Sequence, residues 1–251
     1  MNYTINNLPE RTVKPRQYGY TMAMDKGMSI RETEDFLSIC ADHVDIVKLG
    51  WATSYVTPNL GEKIKVYQQA NIPCYFGGTL FEAFIIRNQF DDYRRVLDKY
   101  NLSHAEVSDG SIDLDHKLKC DYISKLASQV TVLSEVGSKD ADKIIPPYQW
   151  IELMQKELDA GAWKVIGEAR EGGNVGLFRS SGEVRSGLVQ EILTKIPFEN
   201  SSSQRSIFNT NRTAGTNYSG RGCNNEIGFN ANWNNYQRIS NRISPTWIDG
   251  N

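Results

Sequence analysis

Short apolar runs recur at nearly even intervals along residues 1–199, and a longer amphipathic segment separates each run from the next. The six runs are Tyr18–Met24, Val44–Leu49, Ile72–Phe76, His104–Val107, Val130–Leu133 and Trp163–Ile166. Their starts lie roughly 26–33 residues apart, which matches a repeated β-loop-α-loop unit. Six consecutive units of this kind predict a parallel sheet with helices on both of its faces.

The segments between the runs carry helix signals. Ser29–His43 begins with a serine cap, and Glu32 three residues later completes a capping box. A second helix, Asp113–Gln129, follows an Asp-Gly-Ser turn. Its predicted buried stripe consists of Leu118, Tyr122, Ile123 and Leu126. A proline pair precedes the predicted helix Tyr148–Ala160, and proline is well tolerated where a helix begins.

Two α/β architectures fit this alternation, a barrel and an open doubly wound sheet. Barrels commonly reach about 250 residues, and this chain has 251. The Gly-x-Gly-x-x-Gly fingerprint that follows the first strand of dinucleotide-binding open sheets is missing. In a barrel, the catalytic groups gather on the loops after the C-terminal ends of the strands. The residues at those positions are therefore the candidates for function.

Charge and cysteine usage exclude several classes. Lys and Arg number 28 against 30 Asp and Glu, so a nucleic-acid partner is not expected. No apolar run approaches the roughly 18 residues of a membrane span, and residues 1–17 have no apolar signal core. The cysteines Cys40, Cys74, Cys120 and Cys223 form no CxxC pair, so neither a zinc ribbon nor a disulfide framework is indicated. We expect a globular protein of the cytoplasm.

Every predicted strand ends in charged or hydroxyl residues beside glycine. These strand ends are Met24–Gly27, Lys48–Ser54, Gly77–Glu82, Glu106–Ser111, Ser134–Lys139 and Gly167–Gly173. Glycine lets backbone amides approach a ligand closely, and cations beside such amides suit phosphate or carboxylate. Hard oxygen ligands of the kind that Mg²⁺ prefers over zinc come from Glu106, Asp109, Glu135 and Glu168.

Each of these residues taken singly has a simpler interpretation. Asp25 or Asp109 could cap a helix, and Lys48 could lie at the surface over a buried stem. Gly77-Gly78 could form only a tight turn. The histidines share no motif, and no Gly-x-Ser-x-Gly elbow supports acyl transfer. The coincidence at six successive strand ends nevertheless favours a site for an anionic small molecule with a divalent metal.

In this order, the strand-end segments resemble the phosphosulfolactate synthase family. The matching segments are Asp25-Lys26-Gly27, Lys48-x-Gly50-Trp51-x-Thr53-Ser54, Gly77-Gly78-Thr79-Leu80-Phe81-Glu82, Ser108-Asp109-Gly110-Ser111, Glu135-Val136-Gly137-x-Lys139 and Glu168-x-Arg170-Glu171. The resemblance covers about residues 18–199, and the six-residue block together with the ordered set makes it specific. Ser138 and Ala169 occupy spots that are often more polar in relatives.

The resemblance implies a TIM (β/α)8-type barrel that adds sulfite to phosphoenolpyruvate with Mg²⁺. The product, phosphosulfolactate, leads towards coenzyme M in methanogens and sulfolactate in some bacteria. Sulfite needs no activating base, and its attack at the methylene carbon places negative charge on the substrate carboxylate. An acid must then protonate C2, and the resemblance points to Lys139 with a cationic neighbourhood lowering its pKa. Assembly into a homo-oligomer is a further expectation, with its size left open.

Roles for the other residues follow from the same resemblance. Glu135 and Arg170 join Lys139 as catalytic candidates, and Lys26, Lys48 and Arg170 are assigned to the phosphate, carboxylate or sulfite anions. The remaining substrate-binding candidates are Asp25, Gly77, Gly78, Thr79, Ser108 and Asp109. The candidates for metal ligands, or for residues that support those ligands, are Glu106, Glu135 and Glu168.

Other functions remain open at this point. A different barrel enzyme that handles phosphoenolpyruvate or an enolate would also use a lysine beside strand-end carboxylates, and sulfite dependence separates the two. A plant heat-stress branch resembles the same family without a settled activity, so a non-catalytic interaction protein on this barrel is a third interpretation.

The composition changes abruptly after Glu199. Residues 200–251 hold 12 Asn, whereas residues 1–199 hold 8, and the tail has neither Leu nor Val. Such a segment buries too little apolar surface to offset its ordering entropy. We therefore divide the chain into a barrel domain, 1–199, and a polar, disordered tail, 200–251, that replaces the last two βα units.

Back-translation suggests an origin for the tail. Moving one base forward through Glu226-Ile227-Gly228 permits Lys-Leu-Gly, and the same shift through Thr246-Trp247-Ile248 permits Leu-Gly-Leu. Both triplets resemble family segments in the expected order. The hypothesis is that the tail is a frame-shifted version of the family's last third, which would leave the barrel open and its activity impaired.

Overall fold

The computed structural model describes residues 13–16, 20–50, 53–140, 143–169, 175–196, 206–207 and 224–227. Its strands are β1 Thr21–Asp25, β2 Ile46–Leu49, β3 Cys74–Phe76, β4 His104–Val107, β5 Thr131–Val136, β6 Lys164–Gly167, β7 Ser206–Ile207 and β8 Asn224–Ile227. Its helices are α1 Ile30–Cys40, α2 Thr53–Val56, α3 Leu60–Gln69, α4 Gly78–Ile85, α5 Phe90–Lys99, α6 His116–Ala127, α7 Pro147–Asp159 and α8 Ser186–Leu193. All six predicted strands are present, each within a few residues of the expected position.

Strands β1 to β6 form two parallel ladders. One ladder has the order β3-β2-β1 and the other the order β4-β5-β6. Strands β3 and β4 lie next to each other where the two ladders meet. The α/β class with parallel strands is thus confirmed. Within the described residues, the hydrogen-bonded ladders stay in two sheets and do not join into one closed ring.

Two short strands of the tail pair with the outer strands of these ladders. Strand β7 is parallel to β6, and β8 is antiparallel to β1. The sequence predicted no regular structure after Glu199, so this pairing departs from the expectation. The physical reason is that an edge strand presents unpaired backbone groups, which accept a neighbour almost irrespective of its side chains. The rest of the tail, including most of the segments behind the frame-shift hypothesis, lies outside the described residues.

The period of two along each strand separates an apolar layer from a charged one. Met22, Ile46, Tyr75, Leu133 and Ile166 form one buried apolar cluster on the inner face of the strands. Two residues further along their strands, the same face carries charged groups: Lys48 after Ile46, Glu135 after Leu133 and Glu168 after Ile166. The charged layer therefore lies at the C-terminal ends of the strands, directly above the apolar layer.

The helices confirm most of the local signals. Ser29 caps α1 in a full capping box with Glu32, and α7 begins at Pro147. The stripe predicted for α6 is wrong at one position, because Leu118 is 39% exposed while its neighbour Lys119 is buried. Of the helices in the described ranges, none has both the length and the apolar character that crossing a bilayer demands.

Candidate functional site

Four buried glutamates meet at the C-terminal ends of the strands. They form what we call the carboxylate cluster: Glu82 on α4, Glu106 on β4, Glu135 on β5 and Glu168 directly after β6. Adjacent parallel strands bring their carboxyl ends to one edge of the sheet, which is why residues so far apart in sequence converge. Two lysines, Lys48 on β2 and Lys139 after β5, also belong to the charged layer.

Lys48 is the deeper of the two cations. Its Nζ lies 3.0 Å from Glu106 Oε1 and 3.6 Å from Glu135 Oε2, so it bridges β4 and β5 from the neighbouring sheet. A hydrogen bond with the Glu168 side chain also helps to lower the pKa of Glu135, which burial alone would raise. Among the described residues of this layer, four carboxyl groups thus lie beside two ammonium groups.

Lys139 contacts the cluster from the solvent side. Its Nζ lies 3.6 Å from Glu82 Oε1 and Glu135 Oε1 and 3.9 Å from Glu168 Oε2, and it is 3.4 Å from Thr79 Oγ1. The side chain of Lys139 is 20% exposed, against 9% for that of Lys48, so Lys139 is the more accessible of the two lysines.

The prediction that neighbouring cations lower the pKa of Lys139 is wrong. Burial by itself lowers the pKa of Lys139, but the three carboxylates around it, Glu135 first among them, outweigh burial and raise that pKa above its usual value. The ammonium form is therefore the form at neutral pH.

Two members of the cluster have displaced pKa values of opposite sign. Burial raises the pKa of Glu106, and the nearby Lys48 offsets this only in part. Burial also acts to raise the pKa of Glu135, yet Lys48 and Lys139 together bring it down to about 2. Glu135 is consequently an anion throughout the physiological range, and a further cation near Glu106 would stabilise the charged form of that carboxylate.

Glycine at position 78 is a steric requirement of the site. The Gly78 amide donates to Glu106 Oε1 at 2.7 Å. A Cβ there would lie 2.4 Å from Ser108 Cβ and 2.7 Å from that same oxygen. Ser108 Oγ in turn lies within hydrogen-bonding distance of Glu82 Oε1 and Glu135 Oε1. Gly77 precedes this contact as the cap of α4, and its amide donates to the Leu49 carbonyl.

The buried oxygens Glu82 Oε2 and Glu106 Oε2 of the cluster have no hydrogen-bond partner among the described residues. Buried polar atoms are almost always satisfied, so each such oxygen calls for an explanation, such as an ion. In the described ranges, no three carboxylate, histidine or cysteine groups are already arranged as a complete metal-binding set.

The other predicted residues lie apart from this contact network. Asp25 Oδ2 bonds Lys63 at 2.6 Å and Tyr67 at 2.8 Å, and its Oδ1 accepts from the amides of residues 27 and 28, which shapes the turn that carries the exposed Lys26. Asp109 pairs with Lys119 at 2.8 Å. Arg170 lies outside the described residues, so its predicted role stays a prediction.

Sequence reasoning missed two residues of this region. Glu82 follows Gly78 by four positions on the same helix, so it faces the same way, and this spacing could have identified it. Lys119 gave no such signal, because a lysine on an amphipathic helix is ordinarily placed on its solvent face.

The chain matches known proteins over most of its length. Residues 9–210 match the family model described as (2R)-phospho-3-sulfolactate synthase (ComA). A phosphosulfolactate synthase of Bacillus subtilis is 37% identical over 196 residues, 77% of this chain and 78% of the relative. One from Methanothermobacter thermautotrophicus is 32% identical over 197 residues, 76% of each chain.

A likeness to a solved structure concerns the fold alone. The spore cortex-lytic enzyme SleL of Bacillus megaterium superposes with a TM-score of 0.52 at 12% identity, over 84% of this chain and 56% of that one.

Proposed function

Because the chain belongs to the (2R)-phospho-3-sulfolactate synthase family, a family of carbon–sulfur lyase-type enzymes, we propose that it adds sulfite to phosphoenolpyruvate and forms 2-phospho-3-sulfolactate with the help of Mg²⁺. The observation that carries this proposal is the protonated, solvent-accessible Lys139 beside the carboxylate cluster. A proton donor next to hard oxygen ligands is what the reaction needs once sulfite has attacked.

The residues of the cluster fit a divalent cation. Glu82 Oε2 and Glu106 Oε2 have no hydrogen-bond partner among the described residues, and four carboxyl groups of this part of the structure lie beside two ammonium groups. Mg²⁺ keeps several waters and takes only one or two carboxylates directly, so it does not require a complete protein cage. We assign direct contact to Glu82 and Glu106, with Glu135 and Glu168 around them. When bound, the ion would stabilise the negative charge that develops on the substrate carboxylate.

Lys139 serves as the acid. Sulfur attacks the methylene carbon of phosphoenolpyruvate, the electrons of the C=C bond move towards C2 and its carboxylate, and a proton passes from Lys139 Nζ to C2. Solvent then returns a proton to the amine, because the side chain is 20% exposed. The three carboxylates that raise the pKa of Lys139 keep it loaded with that proton before each turnover.

The anionic groups of the substrates need cations. Within the described part of the chain, Lys48 and Lys139 contact the cluster directly, and Lys26 lies exposed on the turn after β1. We assign the substrate carboxylate to Lys48 and Lys139, and the phosphate to the Lys26 turn. Sulfite needs no base of its own, since it is already a good nucleophile.

The test is an assay of the purified chain with sulfite, phosphoenolpyruvate and Mg²⁺, with product followed by phosphorus NMR and mass spectrometry. We expect a phosphosulfolactate signal that disappears when sulfite is omitted or when a chelator is added. Lys139→Met should abolish turnover in a folded protein, whereas Lys99→Met, at an exposed position on α5, should leave it unchanged. Turnover of phosphoenolpyruvate without sulfite would replace the proposal by another enolate-handling reaction.

A further inference from the structure

Lys119 is a buried lysine that reaches inward from the helical layer. It lies on α6, outside the sheet, and is only 1% exposed. Its Nζ lies 2.6 Å from the carbonyl oxygen of Glu135, 2.8 Å from Asp109 Oδ1 and 2.8 Å from Glu157 Oε1. An ammonium group has three hydrogens, so the three acceptors use its full bonding capacity.

The three acceptors belong to three different parts of the fold. Glu135 lies near the C-terminal end of β5, Asp109 follows β4 in the loop to α6, and Glu157 is buried on α7. The Lys119 side chain therefore links the C-terminal ends of β4 and β5 to helix α7. Burial alone would lower the pKa of Lys119, but the carboxylates of Glu157 and Asp109 outweigh burial and raise that pKa. Lys119 is therefore positively charged in this position.

Two of these contacts lead directly to the candidate acid. Asp109 precedes Gly110, whose carbonyl accepts a 3.0 Å hydrogen bond from the backbone amide of Lys139. Gly110 also lies against the side chain of Lys139, since a Cβ on Gly110 would be 3.3 Å from its Cε. Glu135, whose carbonyl Lys119 holds, carries the carboxylate that lies 3.6 Å from Lys139 Nζ.

We propose that Lys119 is a positioning residue for the reaction: from outside the sheet it fixes the Asp109–Gly110 turn and the end of β5, and thereby sets Lys139 and Glu135 against each other. This proposal rests on the proposed function. Among the described residues, the contacts of Lys119 Nζ are the Glu135 carbonyl, Asp109 and Glu157, and none is a carboxylate oxygen of the cluster. Lys119 therefore acts through the backbone that carries the cluster.

Stability alone does not account for this lysine. Replacing a buried ion pair by apolar groups of similar size is often neutral or stabilising. An ammonium that bonds one carbonyl and two carboxylates from separate elements instead fixes their relative placement, and a displacement of about 1 Å at a reacting group can lower a rate roughly a hundredfold.

The experiment compares kcat with KM in matched variants. Lys119→Met alone leaves the buried Glu157 carboxylate with only the His116 ring, 3.2 Å away, beside it among the described residues. The double variant Lys119→Met/Glu157→Gln therefore removes both charges and protects the fold. We expect its kcat to fall roughly tenfold to a hundredfold, with the KM for phosphoenolpyruvate changed much less. Glu157→Gln alone should keep kcat near the wild-type value, since Lys119 retains Asp109 and the Glu135 carbonyl.

Arg16→Met is the control for loss of a buried ion pair. Arg16 pairs with Asp45 at 2.6 Å where β2 begins, away from the carboxylate cluster, so its loss should lower the melting temperature without lowering kcat. A folded double variant with wild-type kcat, or one in which only KM rises, overturns the positioning role.

A structural readout separates this proposal from the proposed function. In a crystal structure of the double variant, we expect Lys139 Nζ to have moved away from the 3.6 Å contact with Glu135. An unchanged contact overturns the positioning role whatever the activity. Failure of the wild-type chain to form product from sulfite and phosphoenolpyruvate would instead refute the proposed function.

Discussion

The backbone amide of Gly78 donates a 2.7 Å hydrogen bond to Oε1 of Glu106, and this bond joins the first turn of α4 to strand β4. It bridges the place where the two parallel ladders lie side by side without a shared ladder. The helix N-terminus thereby contributes its dipole and an amide to a buried carboxylate, which helps to keep that carboxylate charged.

The Gly78 contact predicts that Gly78→Ala will disable the site. The new Cβ would lie 2.4 Å from Ser108 Cβ, so either α4 or the Ser108 turn has to move. We expect a loss of about 1–3 kcal/mol in the free energy of unfolding and at least a tenfold loss of turnover. Urea unfolding and the product assay measure the two effects. Gly187→Ala is the control, because a Cβ there meets nothing within 4 Å; equal effects of the two variants would refute the steric argument.

The partnerless oxygens of Glu82 and Glu106 predict which carboxylates bind the divalent cation most directly. Glu82→Gln and Glu106→Gln should each weaken Mg²⁺ binding by roughly tenfold, since affinity follows the number of charged ligands. Isothermal titration calorimetry with Mg²⁺ alone measures this without any turnover. Glu152→Gln removes an exposed carboxylate that pairs only at the surface of α7 and should leave binding unchanged. Unaltered affinity in both cluster variants would contradict the assignment.

Lys139 predicts an effect of the opposite sign on the same equilibrium. Its ammonium lies 3.6–3.9 Å from three carboxylates of the cluster and repels a second cation there. Lys139→Met should therefore bind Mg²⁺ more tightly than the wild type while losing turnover. Calorimetry on this variant, with Lys99→Met beside it, gives the comparison. Weaker binding in Lys139→Met would mean that the lysine supports the cation site instead of competing with it.

Lys164, at the opposite end of β6, predicts a pH-dependent gain in stability. It is 3% exposed, and burial lowers its pKa to about 8. Below pH 8 the folded protein holds a buried ammonium group at Lys164. Between about pH 8 and 10.5 the folded protein has lost this proton, whereas the unfolded chain still carries it. The free energy of unfolding of the wild type therefore rises over that interval. Lys164→Met should therefore stabilise the fold at pH 7, by at most about 3 kcal/mol.

The stabilisation by Lys164→Met should become smaller towards pH 10. It stays below about 3 kcal/mol, because the substitution also removes the contacts of the Lys164 ammonium with the rings of Trp163 and Tyr20. Urea unfolding of both proteins at pH 7 and pH 10 tests the sign. A stability difference that is the same at the two pH values would show that burial of the charge is not its cause.

The nucleotide sequence tests the frame-shift hypothesis for the tail. The match to the family model ends at residue 210, close to the change in composition after Glu199. We expect a one-base shift near codon 200 to open a frame that encodes the family's last two strands. A stop codon or unrelated residues in that frame would refute the hypothesis.

The strands and the layer that they carry could be predicted because local patterns encode them. Runs such as His104–Val107 have a fixed spacing, and a period of two then places Glu135 and Glu168 at the same end of neighbouring strands. The partners within that layer could not be predicted. Asp25 was expected to bind substrate, yet its carboxylate is bonded to Lys63 and Tyr67, and no spacing in the chain indicates a contact across 42 residues.

The burial of Lys119 on α6 could not be predicted from the sequence either. Its burial depends on two carboxylates that come from separate elements, and sequence periodicity treats every lysine as solvated. The sign of the pKa shift at Lys139 was wrong for a related reason. The resemblance identified the residue, whereas its charge environment is fixed by three side chains that only the fold brings together.

The apolar layer beneath the carboxylate cluster also acts as an electrical insulator. Met22, Ile46, Tyr75, Leu133 and Ile166 separate the glutamates at one end of the strands from Lys164 at the other. A low-dielectric layer of this kind directs the electric field of the cluster towards the opposite, partly exposed side where Lys139 lies. Substitutions at the C-terminal ends of the strands can therefore change the chemistry of the carboxylate cluster, while the pKa of Lys164 at the opposite end stays unchanged.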